Sequence, residues 1–257
     1  MRATTSIIII IIMLFVPQAA VAEATPAVKQ YKALLDEFEQ EGGARTFAKR
    51  FLNLAEEHQK DPAAVDALLW VVKNVRGRHE TTRALDLLTK RHVNSEKVGP
   101  ACANIARSRS VAAEKMLHAV LEQNPNRAAR VQACFYLALL LDSEASVVDQ
   151  LKQQPELTPR VFQYYGKEYG KHLSSLDSVQ LAKQREEVYE RMLKSFAEVE
   201  VQGSTMGKIA EQTLFAIRHL AVGRHAPEIN GEDIFGREFK LSDYRGKVVM
   251  LTFWGHW

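Results

Sequence analysis

Cysteine is nearly absent: Cys102 and Cys134 are the only two in 257 residues. Two cysteines exclude a disulfide-dense scaffold. With 31 residues between them they also cannot form a Cys-x-x-Cys pair. Each falls in a stretch of helical periodicity, and three readings stand: a small buried apolar residue, a disulfide between neighbouring helices, or a catalytic thiol. An excess of one charge is lacking too. The 34 Lys and Arg against 31 Asp and Glu leave a formal charge of +3, and no dense basic block marks a nucleic-acid surface. The eight histidines show no ligand spacing such as H-E-x-x-H, so they read as surface or capping residues, with no metal site and no cofactor expected. Met116, Met192 and Met206 show no cofactor pattern and read as core or boundary residues. What is plentiful is ordinary: 46% hydrophobic and 25% charged residues, the balance of a globular chain with one or two domains.

A membrane-spanning helix needs about 20 apolar residues, and the N-terminal run from Ile7 to Val16 has ten. Arg2 precedes it, Pro17 breaks it and Ala20-Val21-Ala22 offers an A-x-A cleavage site. Residues 1–22 therefore read as an export signal cleaved after Ala22. An uncleaved N-terminal anchor is the competing reading. Cleavage removes Arg2, so the formal charge becomes 3 − 1 = +2. No cysteine lies near the site for lipid attachment, and a soluble, exported, periplasmic protein is expected.

From residue 23 to 221 the pattern is helix after helix. Thr25-Pro26 predicts an N-cap with proline at the first helical position. Val28, Tyr31, Leu34, Leu35 and Phe38 then mark one apolar face, and Gly42-Gly43 ends it. A second helix is predicted over Ala44–Lys60, with Phe47, Phe51, Leu54 and Ala55 inward. Asp61-Pro62 repeats the cap for a third, which carries Val65, Leu68, Leu69 and Val72 to a stop at Gly77. Further helices are predicted at Glu80–His92, Ser95–Ala106, Val111–Gln123, Arg127–Leu141, Pro159–Lys171, Val179–Ala197 and Met206–Ala221. Helices this short cannot bury an amphipathic stripe alone, so they must pack as antiparallel neighbours. The expectation is a mainly α fold: an antiparallel α-hairpin array, solenoid-like or irregular, since no fixed repeat period stands out. Trp70, Phe135, Tyr136, Tyr164 and Tyr165 sit at helical spacing and are expected in the core, a peptide groove being the alternative.

The last stretch, 222–257, differs. Gly223-Arg224-His225-Ala226-Pro227-Glu228-Ile229 is followed by a hairpin pattern, Glu232–Phe239, with Gly236 at the turn. Leu241-Ser242-Asp243-Tyr244-Arg245-Gly246-Lys247 leads into the apolar run Val248–Phe253, the pattern of a strand buried on both faces. Phe253-Trp254-Gly255-His256-Trp257 closes the sequence. In this order the segments resemble the start of a thioredoxin-like redoxin domain. The match is best to TlpA-like thiol–disulfide oxidoreductases, through G-x-x-A-P, L-x-D-[YL]-[RK]-G-K and a close that resembles the F-W-A-x-W approach to a Cys-x-x-Cys pair, with Gly255 in place of the alanine. The resemblance covers about 35 residues and implies the incomplete N-terminal part of an α/β domain. Peroxiredoxins of the alkyl hydroperoxide reductase and thiol-specific antioxidant group share the A-P and L-x-D-x-x-G-K features, and an antioxidant peroxidase is the runner-up. Helical domains that precede redoxin domains in exported bacterial proteins are similar in layout.

In the resembled family a thiolate attacks a disulfide and a second cysteine resolves the mixed disulfide. The first of those cysteines would follow Trp257, so no catalytic, cofactor-binding or metal-binding residue is assigned within the sequence. Residue 258 is open between cysteine, selenocysteine read as a stop, and true absence. The resemblance implies protein thiol or disulfide clients and an upstream electron donor. A non-catalytic helical interaction module, or a remnant of such an enzyme, is the alternative from another class. An unsheltered terminal strand is expected to pack poorly.

Overall fold

The computed structural model describes residues 24–75, 79–220 and 223–255. The expected export signal at residues 1–22, the expected helix stop Gly77 and the closing His256-Trp257 lie outside the described residues. The first three helices are α1 (Pro26–Glu41), α2 (Ala44–Glu57) and α3 (Pro62–Asn74). Their starts follow the sequence signals. Thr25 accepts a hydrogen bond from the Val28 amide and Asp61 from the Ala63 amide, each with proline just inside the helix. Gly42 and Gly43 adopt φ of +68° and +76°, the left-handed backbone that stops α1 and turns the chain into α2. Phe47, Phe51, Leu54 and Ala55 are all buried. Trp70 stacks on Phe51 with ring centroids 4.0 Å apart and receives Phe38 edge-on.

The array continues through α4 (His79–Arg91), α5 (Val98–Arg107), α6 (Val111–Gln123) and α7 (Arg127–Gln153). The last is the central element, packed against α5, α6 and the later α10 (Ser178–Phe196). It runs 12 residues beyond the expected stop at Leu141. The polar residues from Asp142 onward conceal a continuing stripe of Leu140, Leu141, Ala145 and Val148, and only Pro155 ends it. The expected single helix over Pro159–Lys171 is two. Gly166, at φ +84°, divides that stretch into α8 (Thr158–Tyr165) and α9 (Lys167–Ser175). These two helices share a small satellite core of Val161, Tyr169 and Leu173.

Between α10 and α11 (Met206–Phe215) lies a hairpin with no counterpart among the expected elements. Strands β1 (Glu200–Val201) and β2 (Ser204–Thr205) pair across Gln202 and Gly203, both at positive φ. This is the backbone of the tight hairpin turns that match strand twist. A π-helical turn at Ala216–Leu220 follows α11.

Cross-element polar bonds fix the packing. The buried Asn124 amide donates to the carbonyls of Val93 and Ser95 at 2.6 and 3.2 Å, tying the end of α6 to the α4–α5 loop. Arg185 and Tyr189 of α10 both reach Asp142 of α7, at 2.8 and 2.5 Å. Met116, Met192 and Met206 are fully buried, as expected of core residues. Of the aromatic residues expected in the core, Trp70 and Phe135 are buried and Tyr136 packs against the core at its edge. Tyr165 only borders the satellite core, and Tyr164 is 74% exposed. Where the helix divides, Tyr164 faces solvent while Tyr165 stays partly buried.

The main core ends with Leu214 and the partly buried Ile217. Among the described residues from 223 onward, none is buried. Two strands, β3 (Asn230–Glu232) and β4 (Glu238–Lys240), form an antiparallel hairpin, and a 3-10 turn at Leu241–Tyr244 follows. The central strand expected over Val248–Phe253 does not form: the run has no strand pairing and lies against solvent. Strand geometry leaves amides and carbonyls unpaired unless a neighbour accepts them. Among the described residues the run has no such neighbour.

Candidate functional site

Three places carry chemistry that could serve a function: the redoxin-like segment, the two thiols, and a polar cluster among α6, α7 and α9. In the first, the segment's motif residues make one local unit. The Ser242 amide donates to Oε1 of Glu228 at 2.9 Å, and the Leu241 amide donates to the Ile229 carbonyl at 2.9 Å. This brings Glu228-Ile229, directly after Ala226-Pro227, beside the start of the Leu241–Lys247 motif. The Glu228 carboxyl is held below the usual range, chiefly by its hydrogen bond from Ser242. Asp233 Oδ1 accepts from the amides of Phe235 and Arg237, closing the hairpin turn at Gly236. The Phe239 ring crosses Gly231 closely: a Cβ there would sit 2.7 Å from the ring tip, which would have to move aside. None of the unit's described side chains is a thiol. Trp254 is exposed.

Cys102 and Cys134 are free and fully buried. The disulfide left open by the sequence is not formed, and the reading as small apolar core residues holds. The Cys102 thiol points at the Val98 carbonyl one turn back, 3.4 Å away, and Cys134 faces the Val188 carbonyl of α10 at 3.8 Å. Burial pushes both thiols up to about 12. At neutral pH only about one in 10⁵ would be the nucleophilic thiolate.

The third place was not legible as a site in the sequence. A cleft of about 280 Å³ opens between the start of α4, the α5–α6 turn and the α8–α9 turn. Ser108, Arg109, Tyr165, Lys167 and Tyr169 are among its walls. Arg109 holds φ at +45°, unusual for a side-chain-bearing residue, and its guanidinium lies 5.3 Å from the centre of the Tyr165 ring. Tyr169 turns from this cleft toward the helix interior, where its hydroxyl donates to Oε1 of Glu144. Glu144 is only 2% exposed. Desolvation pushes its carboxyl up to about 7; the Tyr169 hydrogen bond opposes the rise and the Glu114 charge adds to it. One ligand-type atom from each of Glu114, Glu144 and His172 lies within 4.8 Å of the others. The sequence signal for this cluster was Glu144 itself. It stands four residues after Leu140 and four before Val148, on the apolar stripe of α7, where an unpartnered charge is costly.

The chain is thus a mainly helical array followed by a short C-terminal hairpin segment. Comparison with known proteins agrees over a short length. A stretch of 38 residues, 15% of the chain, is 55% identical to the thiol-disulfide oxidoreductase ResA of Geobacillus thermodenitrificans (strain NG80-2). The ResA of Geobacillus kaustophilus (strain HTA426) gives the same identity over the same length. The chain spans about a fifth (22%) of the length of each of these relatives. No family model and no solved structure matches the chain.

Proposed function

We propose that this chain is part of an exported thiol–disulfide oxidoreductase of the TlpA-like, thioredoxin-like kind, with a helical array ahead of its redox domain. The observation that carries the reading is the 55% identity over 38 residues to ResA. The ordered A-P, L-S-D-Y-R-G-K and F-W-G-H-W segments support it. The F-W-x-x-W pattern favours disulfide exchange over peroxide reduction. The reacting pair is assigned outside these 257 residues, because both internal thiols are buried and protonated. Residues 1–22 act as the export signal, and the helical array holds the redox domain against a protein client or electron donor.

Two measurements test the reading. Translation of the DNA beyond codon 257 is expected to give an in-frame cysteine codon, or UGA, followed after two intervening codons by a second cysteine codon. A different reading frame with no such pair would overturn the proposal. In an insulin-reduction assay the 257-residue chain is expected to be inactive and the extended chain active. Activity of the shorter chain would overturn the assignment of Cys102 and Cys134 to the core. Inactivity of the extended chain would favour a non-catalytic interaction module, a reading supported by a helical core complete without residues 223–255.

A further inference from the structure

We propose that Glu114, Glu144 and His172 form a binding site for one divalent transition-metal ion of the Zn²⁺ class. The three come from separate helices: Glu114 from the first turn of α6, Glu144 from the middle of α7 and His172 from α9. Their ligand atoms lie within 4.8 Å of one another, and Nε2 of His172 stands 3.9 Å from Oε2 of Glu114. Four-coordinate zinc, about 2.1 Å from each ligand, sets neighbouring ligand atoms about 3.4 Å apart. Seating the ion takes a contraction of about half an ångström along that edge and no more than about 1.4 Å along the other two, within the reach of side-chain rotation.

Unsatisfied polar atoms provide the second, independent observation. Glu144 Oε2 and His172 Nε2 are buried and have no hydrogen-bond partner among the described residues. A native interior pairs nearly all such atoms, so two orphans in one cluster call for an occupant. The hydrogen bonds that do exist leave these atoms free. Tyr169 takes Oε1 of Glu144, leaving Oε2 as the remaining acceptor. The ring of Tyr169 stacks on that of His172 with centroids 5.7 Å apart and planes 20° from parallel. One side chain thus orients two ligands, the role that outer hydrogen-bonding partners play around bound metals.

An imidazole and two carboxylates suit zinc, manganese or ferrous iron better than magnesium or calcium, which prefer all-oxygen shells. The two carboxylates balance the ion's charge. Three protein ligands leave at least one position for water in a four-coordinate site. The ion would join α9, whose own core is small, to α6 and α7.

The test uses the 257-residue chain stripped with EDTA and titrated calorimetrically with ZnCl₂. The expected result is one Zn²⁺ per chain and a Tm raised by several degrees. CoCl₂ should give visible d–d absorption that ZnCl₂ displaces and MgCl₂ does not. Glu144→Gln and His172→Ala should each weaken binding roughly tenfold or more, while His219→Ala, outside the cluster, should leave it unchanged. No Zn²⁺ binding up to about 100 µM, or binding that survives both cluster substitutions, would overturn the proposal. If Glu144→Gln does not fold, the His172→Ala titration and the Co²⁺ spectrum still decide it.

Discussion

The Tyr169 hydroxyl and the Glu144 carboxylate meet inside the helix array, 2.5 Å apart, although 25 residues separate them in sequence. This contact links the small α8–α9 unit to the central helix and borders both the cleft and the orphaned ligand atoms. Tyr169→Phe would remove the donor and leave both oxygens of a buried carboxyl unpartnered. A loss of about 1–3 kcal/mol is expected. Urea denaturation of the metal-free chain at pH 8 measures it, and an unchanged midpoint would count against the contact.

The buried thiols should make the fold sensitive to alkali. Their folded pKa values lie near 12 against about 9 for ordinary thiols. Between those values the folded state holds protons that the unfolded state has released. Stability from this source is therefore complete below pH 9 and lost as pH rises toward 12. At pH 10.5 each thiol should cost about 2 kcal/mol, an order-of-magnitude figure. Urea midpoints measured from pH 8 to 10.5 should fall, and the fall should be shallower in Cys102→Ala. The same burial predicts that iodoacetamide at pH 8 modifies neither thiol until denaturant is added.

Asn124→Ala should cost about 1–3 kcal/mol, because it strands the carbonyls of Val93 and Ser95 without their donor. Thermal unfolding followed by far-UV circular dichroism would measure the loss. Asn124→Asp should be no better, since a carboxylate cannot donate to those carbonyls.

Limited trypsin digestion should leave a resistant helical fragment ending near Arg218 or Arg224. No described residue beyond 223 is buried, and Val248 and Phe253 lie open to solvent. Mass spectrometry of the stable fragment reads the boundary directly. Equal protection of Lys247 would mean that the segment is sheltered in solution.

Much of the helical architecture could be read locally. Thr25-Pro26, Asp61-Pro62 and Gly42-Gly43 are caps and stops whose backbone geometry follows from the residue types. The inward faces of α2 and α3 follow from 3.6-residue spacing. Where local signals were mixed, the reading failed. The end of α7 was hidden because polar residues surround its apolar stripe, and Gly166 divides a stretch that reads as one helix by its spacing. The strand expected at Val248–Phe253 failed for a different reason, since a strand is completed only by a neighbour's hydrogen bonds.

The sequence by itself determined the helix-rich class, most helix starts, the core methionines and the short likeness to a redoxin start. These are properties of spacing, capping and composition within a few residues. Only the tertiary structure decided that Cys102 and Cys134 stay apart as buried thiols. It alone brought Glu114, Glu144 and His172 together across α6, α7 and α9. Periodicity tells which face of a helix is apolar; which helices meet there depends on how the whole array packs.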